Sequence, residues 1–133
     1  MKLDMEGVRQ AFSQFSGEEA DPQGAGREAF CAALCSQCAQ RVERLVRPGL
    51  SQDEETAWAG ALEALAAAEA FYQLLLAEEA ASPQSLSAGG MSLTRGAGSE
   101  RAARLVEEKR GAAAPVLGET GFCFAAVGKG EKE

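Results

Sequence analysis

Residues 51–81 decide the fold, and they read SQDEETAWAGALEALAAAEAFYQLLLAEEAA. Ser51 and Glu54 have the spacing of a capping box, in which the serine hydroxyl and the glutamate carboxylate each bond a free backbone N–H at a helix start. Apolar residues then recur at helical spacing from Trp58 to Leu76. The pattern predicts one long helix from Ser51 to about Ala81, roughly 45 Å at 1.5 Å per residue.

The C-terminal end of this helix is apolar on nearly every side, in the run Ala70-Phe71-Tyr72-Gln73-Leu74-Leu75-Leu76-Ala77. Phe71 and Leu74 point away from the main apolar stripe. A helix that is apolar all round must be covered all round, and we expect the other helices of so short a chain to leave part of it open. The run therefore predicts a contact with another subunit through Phe71 and Leu74.

Glu69 is the unusual charge in this helix, because it falls inside the apolar arc. We expect its carboxylate to reach solvent at the edge of the stripe. The alternative is an ion pair with Arg41 or Arg44, or with an arginine of a neighbouring subunit.

Two helices are predicted before the long one. The first begins after the N-cap residue Asp4 and ends at Ser16-Gly17. The second runs from Arg27 to about Arg47, where Pro48-Gly49 stops it.

The segment after the long helix predicts a β-hairpin from Leu86 to Leu93. Small polar residues alternate with Leu86 and Ala88 before Gly89-Gly90, and with Met91 and Leu93 after it. The triplet 96–98, Gly-Ala-Gly, predicts a flexible break. Ser99 would cap the last helix, and Pro115 would kink it or start a final turn.

The chain ends in two different segments. Residues 121–127, Gly-Phe-Cys-Phe-Ala-Ala-Val, predict an extended apolar tail, and residues 128–133 a disordered end. The expected fold is therefore all-α: a small bundle of about four helices with a short β-hairpin insert before the last helix and an extended C-terminal tail. Residues 1–127 would form one domain.

Composition excludes several kinds of function. The 133 residues contain no histidine, which removes imidazole bases and imidazole metal ligands. The net charge of −7 disfavours tight binding to a phosphate backbone, which needs Lys and Arg to displace counterions. No run of 18 apolar residues and no apolar signal core are present, so we expect a cytosolic protein with no membrane segment. No nucleophile stands beside a base, so we predict no catalytic residues and no cofactor.

Three cysteines give the sharpest chemical pattern. Cys31, Cys35 and Cys38 have the C-x3-C-x2-C spacing of radical SAM enzymes, whose thiolates hold an iron–sulfur cluster on a loop. Here they fall at i, i+4 and i+7 of a predicted helix, on an apolar stripe with Phe30 and Val42. This placement favours small buried packing residues over metal ligands. An iron–sulfur or redox protein remains the alternative, and it predicts iron in the purified protein.

The order of features resembles a known family. A short helix is followed by an Ala/Cys-rich helix ending in Arg47-Pro48-Gly49, and then by a long Ala-rich helix ending in the aromatic–leucine run 70–76. Residues 85–93, an Ala/Arg/Glu helix and the closing Gly-Phe-x-Phe-x-x-Val of residues 121–127 complete the series. Over residues 3–127 the chain is similar to the head-completion proteins of phages and prophages, the head–tail connector or adaptor family.

The resemblance implies a structural role in virion assembly. Copies of the chain would form a ring below the portal protein, extend the DNA channel without sequence-specific contacts, and dock the stopper or tail-completion protein. It would act in the bacterial host cytoplasm and at the head–tail junction of the virion. The implied contact residues are Leu86, Met91 and Leu93 of the hairpin, and Phe122, Phe124 and Val127 of the tail. The alternative is a generic helical interaction module, such as a small regulatory bundle with one protein partner.

Overall fold

The structure, a computed structural model, describes residues 1–81 and 90–118. These residues form four α-helices and one 3₁₀ turn. In chain order they are α1 (Met5–Ser16), α2 (Arg27–Leu45), α3 (Gln52–Ala81), α4 (Gly90–Ala113) and the 3₁₀ turn Ala114–Val116.

The first helix begins and ends as its sequence predicts. The Asp4 side chain accepts a hydrogen bond from the Glu6 N–H at 3.2 Å, which caps the first turn. Gly17 ends the helix with φ +76°, a left-handed conformation that favours glycine, and its N–H donates to the Ser13 carbonyl at 2.8 Å.

The long helix α3 starts with the predicted capping box. The Glu54 N–H donates to Ser51 Oγ at 3.1 Å, and the Ser51 N–H donates to Glu54 Oε1 at 2.9 Å. These two bonds satisfy backbone donors that the first turn would otherwise leave unpaired.

The α3 helix is the centre of the molecule, because α1, α2 and α4 all pack against it. Six consecutive residues, 65–70, are buried, so this segment is covered on every side by the chain's own helices. Alanine fills four of the six positions, and its small side chain lets neighbouring helices approach closely. The core also contains the fully buried Val8, Phe12 and Leu62.

The predicted β-hairpin is wrong in the part of the chain that the structure describes. The α4 helix begins at Gly90, so Met91 and Leu93 belong to a helix and not to a second strand. Residues 86–89, including Leu86, lie outside the described residues. Alternation over three or four residues does not separate a period of 2 from a helical period. Packing of α4 on α3 overrides the cost of about 1 kcal/mol per glycine inside a helix.

The predicted start of the last helix is also wrong. The predicted break at 96–98 and the predicted cap Ser99 both lie inside α4. Of the two predictions for Pro115, a kink or the start of a final turn, the second is confirmed, because Pro115 lies in the first turn of the 3₁₀ segment. Proline is tolerated there because first-turn N–H groups have no helical partner.

The second helix ends two residues before the predicted Arg47. At Val46 the chain becomes extended and forms a single antiparallel bridge with Leu117. The Arg47 N–H donates to the Val116 carbonyl at 2.9 Å, and the Gly118 N–H donates to the Leu45 carbonyl. The bridge fixes the end of α2 beside the end of α4. The predicted tail 121–127 and the predicted disordered end 128–133 lie outside the described residues.

Candidate functional site

The predicted interaction residues on α3 are mostly covered within the protomer. Leu74 is 2% exposed and belongs to the core, and Phe71 is half-buried and packs against that core. Leu74 therefore has little surface to offer a partner. Leu76, two residues further on, is 37% exposed. The open part of the aromatic–leucine run lies at Leu76 and at the partly exposed Phe71, and the sequence pattern alone did not separate these residues from Leu74.

The structure describes two of the six other predicted contact residues. Met91 and Leu93 lie in the first turn of α4. The remaining four, Leu86, Phe122, Phe124 and Val127, lie outside the described residues. Their contacts with a partner stay predictions.

Phe30 is an apolar side chain that the sequence placed on the buried face of α2. It is instead 44% exposed. The residue is one position before the buried Cys31, and a helix turns by about 100° per residue, so Phe30 falls outside the buried arc.

The three cysteines are buried on α2, as their spacing predicted. Cys31 and Cys35 have no exposed surface, and Cys38 is nearly covered. Burial raises the pKa of the Cys35 thiol to about 12 and that of Cys38 to about 11. Neutral thiols of this kind behave as small apolar groups. Among the residues that the structure describes, no group of three or more His, Cys, Asp or Glu residues is arranged to hold a metal ion.

Glu69 is the one buried charged residue of the described core, and it is not at the solvent edge as expected. Its side chain is 4% exposed and lies between two arginines. Its Oε1 lies 3.2 Å from Arg41 Nη2, and its Oε2 accepts a hydrogen bond from Arg110 Nη2 at 3.2 Å. The alternative prediction of an ion pair with Arg41 is confirmed.

The three charges Arg41, Glu69 and Arg110, here called the arginine–glutamate cluster, join α2, α3 and α4. The hydrogen bonding of this cluster is incomplete at one atom, because Glu69 Oε1 is buried and accepts no hydrogen bond. The guanidinium side chains are half-exposed, 54% for Arg41 and 44% for Arg110. No sequence pattern pointed to Arg110, which is 41 residues from Glu69.

The charges of this cluster act on the thiol of Cys38. The pKa of Cys38 is raised by burial first and by the negative charge of Glu69 second, while Arg41 opposes the shift. Cys38 is one turn before Arg41 on α2, so the two side chains lie on neighbouring positions of the helix surface.

A groove of about 430 Å³ opens where α2 ends, and its first wall residues, Arg44 and Leu45, lie about one turn after Arg41 on α2. Its walls are the apolar Leu45, Val46, Pro48 and Leu117 together with Gly118, Arg44 and Arg47. Arg47 is held at this end, since its Nε donates to the Pro115 carbonyl at 3.2 Å. The groove therefore combines an apolar floor with cationic side chains.

A second set of ion pairs lies at the opposite end of α2. Arg27 pairs with Glu18 of the loop after α1 at 2.8 Å and with Glu78 near the end of α3. The Arg27 hydrogen bond lowers the pKa of Glu18. The three side chains are 30–47% exposed, so water screens the pairs and we assign them a minor role in stability.

Comparisons with protein-family models, with curated proteins and with solved structures gave no match to this chain. One helix of the described residues, over Gln52–Ala80 of α3, is long and apolar enough to cross a membrane by length and composition. The central helix of a folded bundle has the same composition, and α3 packs against α1, α2 and α4.

Proposed function

We propose that this chain is a structural, protein-binding subunit that acts as a head–tail connector of a phage or prophage. In this role its copies assemble in a ring below the portal protein, extend the DNA channel and dock the stopper or tail-completion protein. The order of helices supports the proposal: a short first helix, a second helix before Arg-Pro-Gly, a long alanine-rich third helix and a fourth helix rich in Ala, Arg and Glu.

The observation that carries the proposal is the partial exposure of the aromatic–leucine run on α3. The central segment 65–70 is closed by the protomer's own helices, but Leu76 is 37% exposed and Phe71, Tyr72 and Leu75 are only half-buried. An apolar surface next to a closed core favours contact with another protein chain. Within the described residues, the centre of α3 is closed by the protomer itself, and the apolar edge beyond it is left for assembly.

The net charge is compatible with a DNA channel. A chain of charge −7 repels the phosphate backbone, so DNA would pass through a ring of such chains without being retained.

A generic helical interaction module is the second candidate, and one specific observation favours it. The resemblance includes a hairpin over residues 85–93, whereas residues 90–93 belong to α4. Such a module would bind one partner protein as a monomer or dimer, with no role in a virion.

The proposal is tested by mixing the full-length chain with the portal protein encoded in the same gene cluster. Negative-stain images should show rings attached to the portal. Leu76→Gln should prevent attachment, because it places an amide in the apolar contact. Ala57→Gln, an exposed position at the other end of α3, is the matched control and should attach as the wild type does.

Two outcomes would contradict the connector role. One is attachment of the Leu76→Gln variant that equals the wild type. The other is a gene neighbourhood without large terminase, portal and major capsid genes. Stoichiometric binding to one host protein, without rings, would favour the interaction module.

A further inference from the structure

The arginine–glutamate cluster holds two guanidinium groups in place but uses little of their bonding capacity. Arg41 and Arg110 each approach Glu69 through one nitrogen, Nη2, and each to a different carboxylate oxygen. A guanidinium carries five N–H donors in a rigid fork that matches a carboxylate. Since both side chains are about half-exposed, the remaining donors are open to a second acceptor from outside the molecule.

Glu69 acts here as the positioning residue. It is 3% exposed and lies on the central helix, so it is fixed by packing, and it draws arginines from two different helices to one carboxylate. Side chains that are already ordered lose less freedom when a ligand binds. The buried Oε1 accepts no hydrogen bond, so Arg41 is held through its charge and keeps its N–H donors unused.

The positive charge continues along α2 into the groove. Arg44 follows Arg41 by three residues, which places it next to Arg41 on the helix surface. Arg44 and Arg47 both line the groove of about 430 Å³. Four of the 13 basic residues of an acidic chain therefore lie at this end of the bundle.

Among the described residues, Glu69 is the acidic residue that pairs with Arg41 and with Arg110. Besides Glu69, the nearby acid on α2 is Glu43, and its Oε2 accepts a hydrogen bond from the Leu3 N–H at 2.8 Å. On α4 the exposed Glu107 lies three residues before Arg110, at a neighbouring position of the helix surface.

We propose that Arg41 and Arg110, held by Glu69, form a binding site for the carboxylates of an acidic protein segment, and that the adjoining groove takes an apolar residue of the same segment. The apolar walls Leu45, Val46 and Leu117 match such a residue. A protein carboxylate is favoured over nucleic acid, because duplex DNA presents a dense row of phosphates that the chain's net charge of −7 repels. A single acidic segment needs only this local patch.

The site does not depend on the connector role, since a carboxylate-binding surface serves a phage protein and a regulatory module equally. The two proposals fail separately. If no rings form on the portal, the connector role fails but peptide binding is still expected. If the peptide does not bind, the arginine site fails but ring formation through Leu76 is still expected.

The test uses the full-length chain and a fluorescent peptide of six glutamates with one central phenylalanine, followed by anisotropy at low and physiological salt. We expect saturable binding that Arg41→Gln and Arg110→Gln each weaken by about fivefold or more. Arg101→Gln, an exposed arginine earlier on α4, is the matched control and should change affinity by less than about twofold. Replacing the peptide's phenylalanine by serine should weaken binding to the wild type. Glu107→Gln should strengthen it.

Three results would overturn the proposal. The first is an equal loss in Arg101→Gln and Arg41→Gln, which would indicate general electrostatic attraction. The second is tighter binding of duplex DNA than of the peptide, which would assign the arginines to phosphate. The third is no peptide binding by wild-type protein at low salt. Far-ultraviolet circular dichroism checks that each variant is folded.

Discussion

The two sides of α3 are stabilised in different ways. On the side of α1 the interior is apolar, with Val8, Phe12 and Leu62 fully buried. Where α2 and α4 both reach Glu69, the contact is a charged cluster whose arginines remain half-exposed. The buried apolar side chains stabilise the fold by leaving water, whereas the charged side leaves two guanidinium groups in contact with water.

Phe12→Ala is expected to have the largest effect, because it opens a cavity on the apolar side. The loss in the free energy of unfolding should be about 3–5 kcal/mol, measured by chemical denaturation. Phe30→Ala is the matched control, since Phe30 is 44% exposed, and should cost less than about 1 kcal/mol. Equal losses in the two variants would break the distinction between core and surface aromatics.

The buried thiols of α2 test how tightly the rest of the described core is closed. In a Cys123→Ala background, Cys31, Cys35 and Cys38 should react with a thiol reagent at pH 8 about a hundredfold more slowly in native than in unfolded protein, because burial keeps them neutral. Rapid labelling of the native protein would contradict their placement.

The same thiols predict a pH dependence. Their pKa values are higher in the folded protein than in the unfolded chain, so the stability they contribute is present below about pH 9 and is lost as the pH rises through about 11 to 12. Denaturation of wild type and Cys35→Ala at several pH values should give a steeper decline for the wild type.

Glu69→Ala should have a smaller effect than Phe12→Ala, about 2 kcal/mol, because the arginines left unpaired are still in contact with water. A double-mutant cycle of Glu69→Ala with Arg110→Gln should give a coupling of about 1 kcal/mol. Zero coupling, measured by denaturation, would mean that the pair contributes nothing to the join between α3 and α4.

Ser51→Ala should have the smallest effect, about 1 kcal/mol, since it removes one cap at an exposed helix start. Ser51→Gly should cost only a few tenths of a kcal/mol, because glycine is tolerated at an N-cap. If Ser51→Ala lowered the free energy of unfolding as much as Phe12→Ala does, the minor role assigned to this cap would be contradicted.

Local signals and long-range contacts were not equally predictable from sequence. The capping box of α3 and the Asp4 cap of α1 were predicted, because their partners lie within three residues. The start of α4 was not, since the double glycine and Ser99 are turn and cap signals that packing on α3 overrides. Arg41 was one of several named partners of Glu69, and Arg110 was missed, because no local periodicity links residues 41 positions apart.

The proposal that this chain connects phage heads to tails is tested most directly by deleting its gene from its source genome and inducing any prophage that this genome carries. Electron microscopy of the lysate should then show heads without attached tails, and supplying the full-length chain from a plasmid should restore complete virions. Complete, tailed virions in the absence of the chain would contradict the claim.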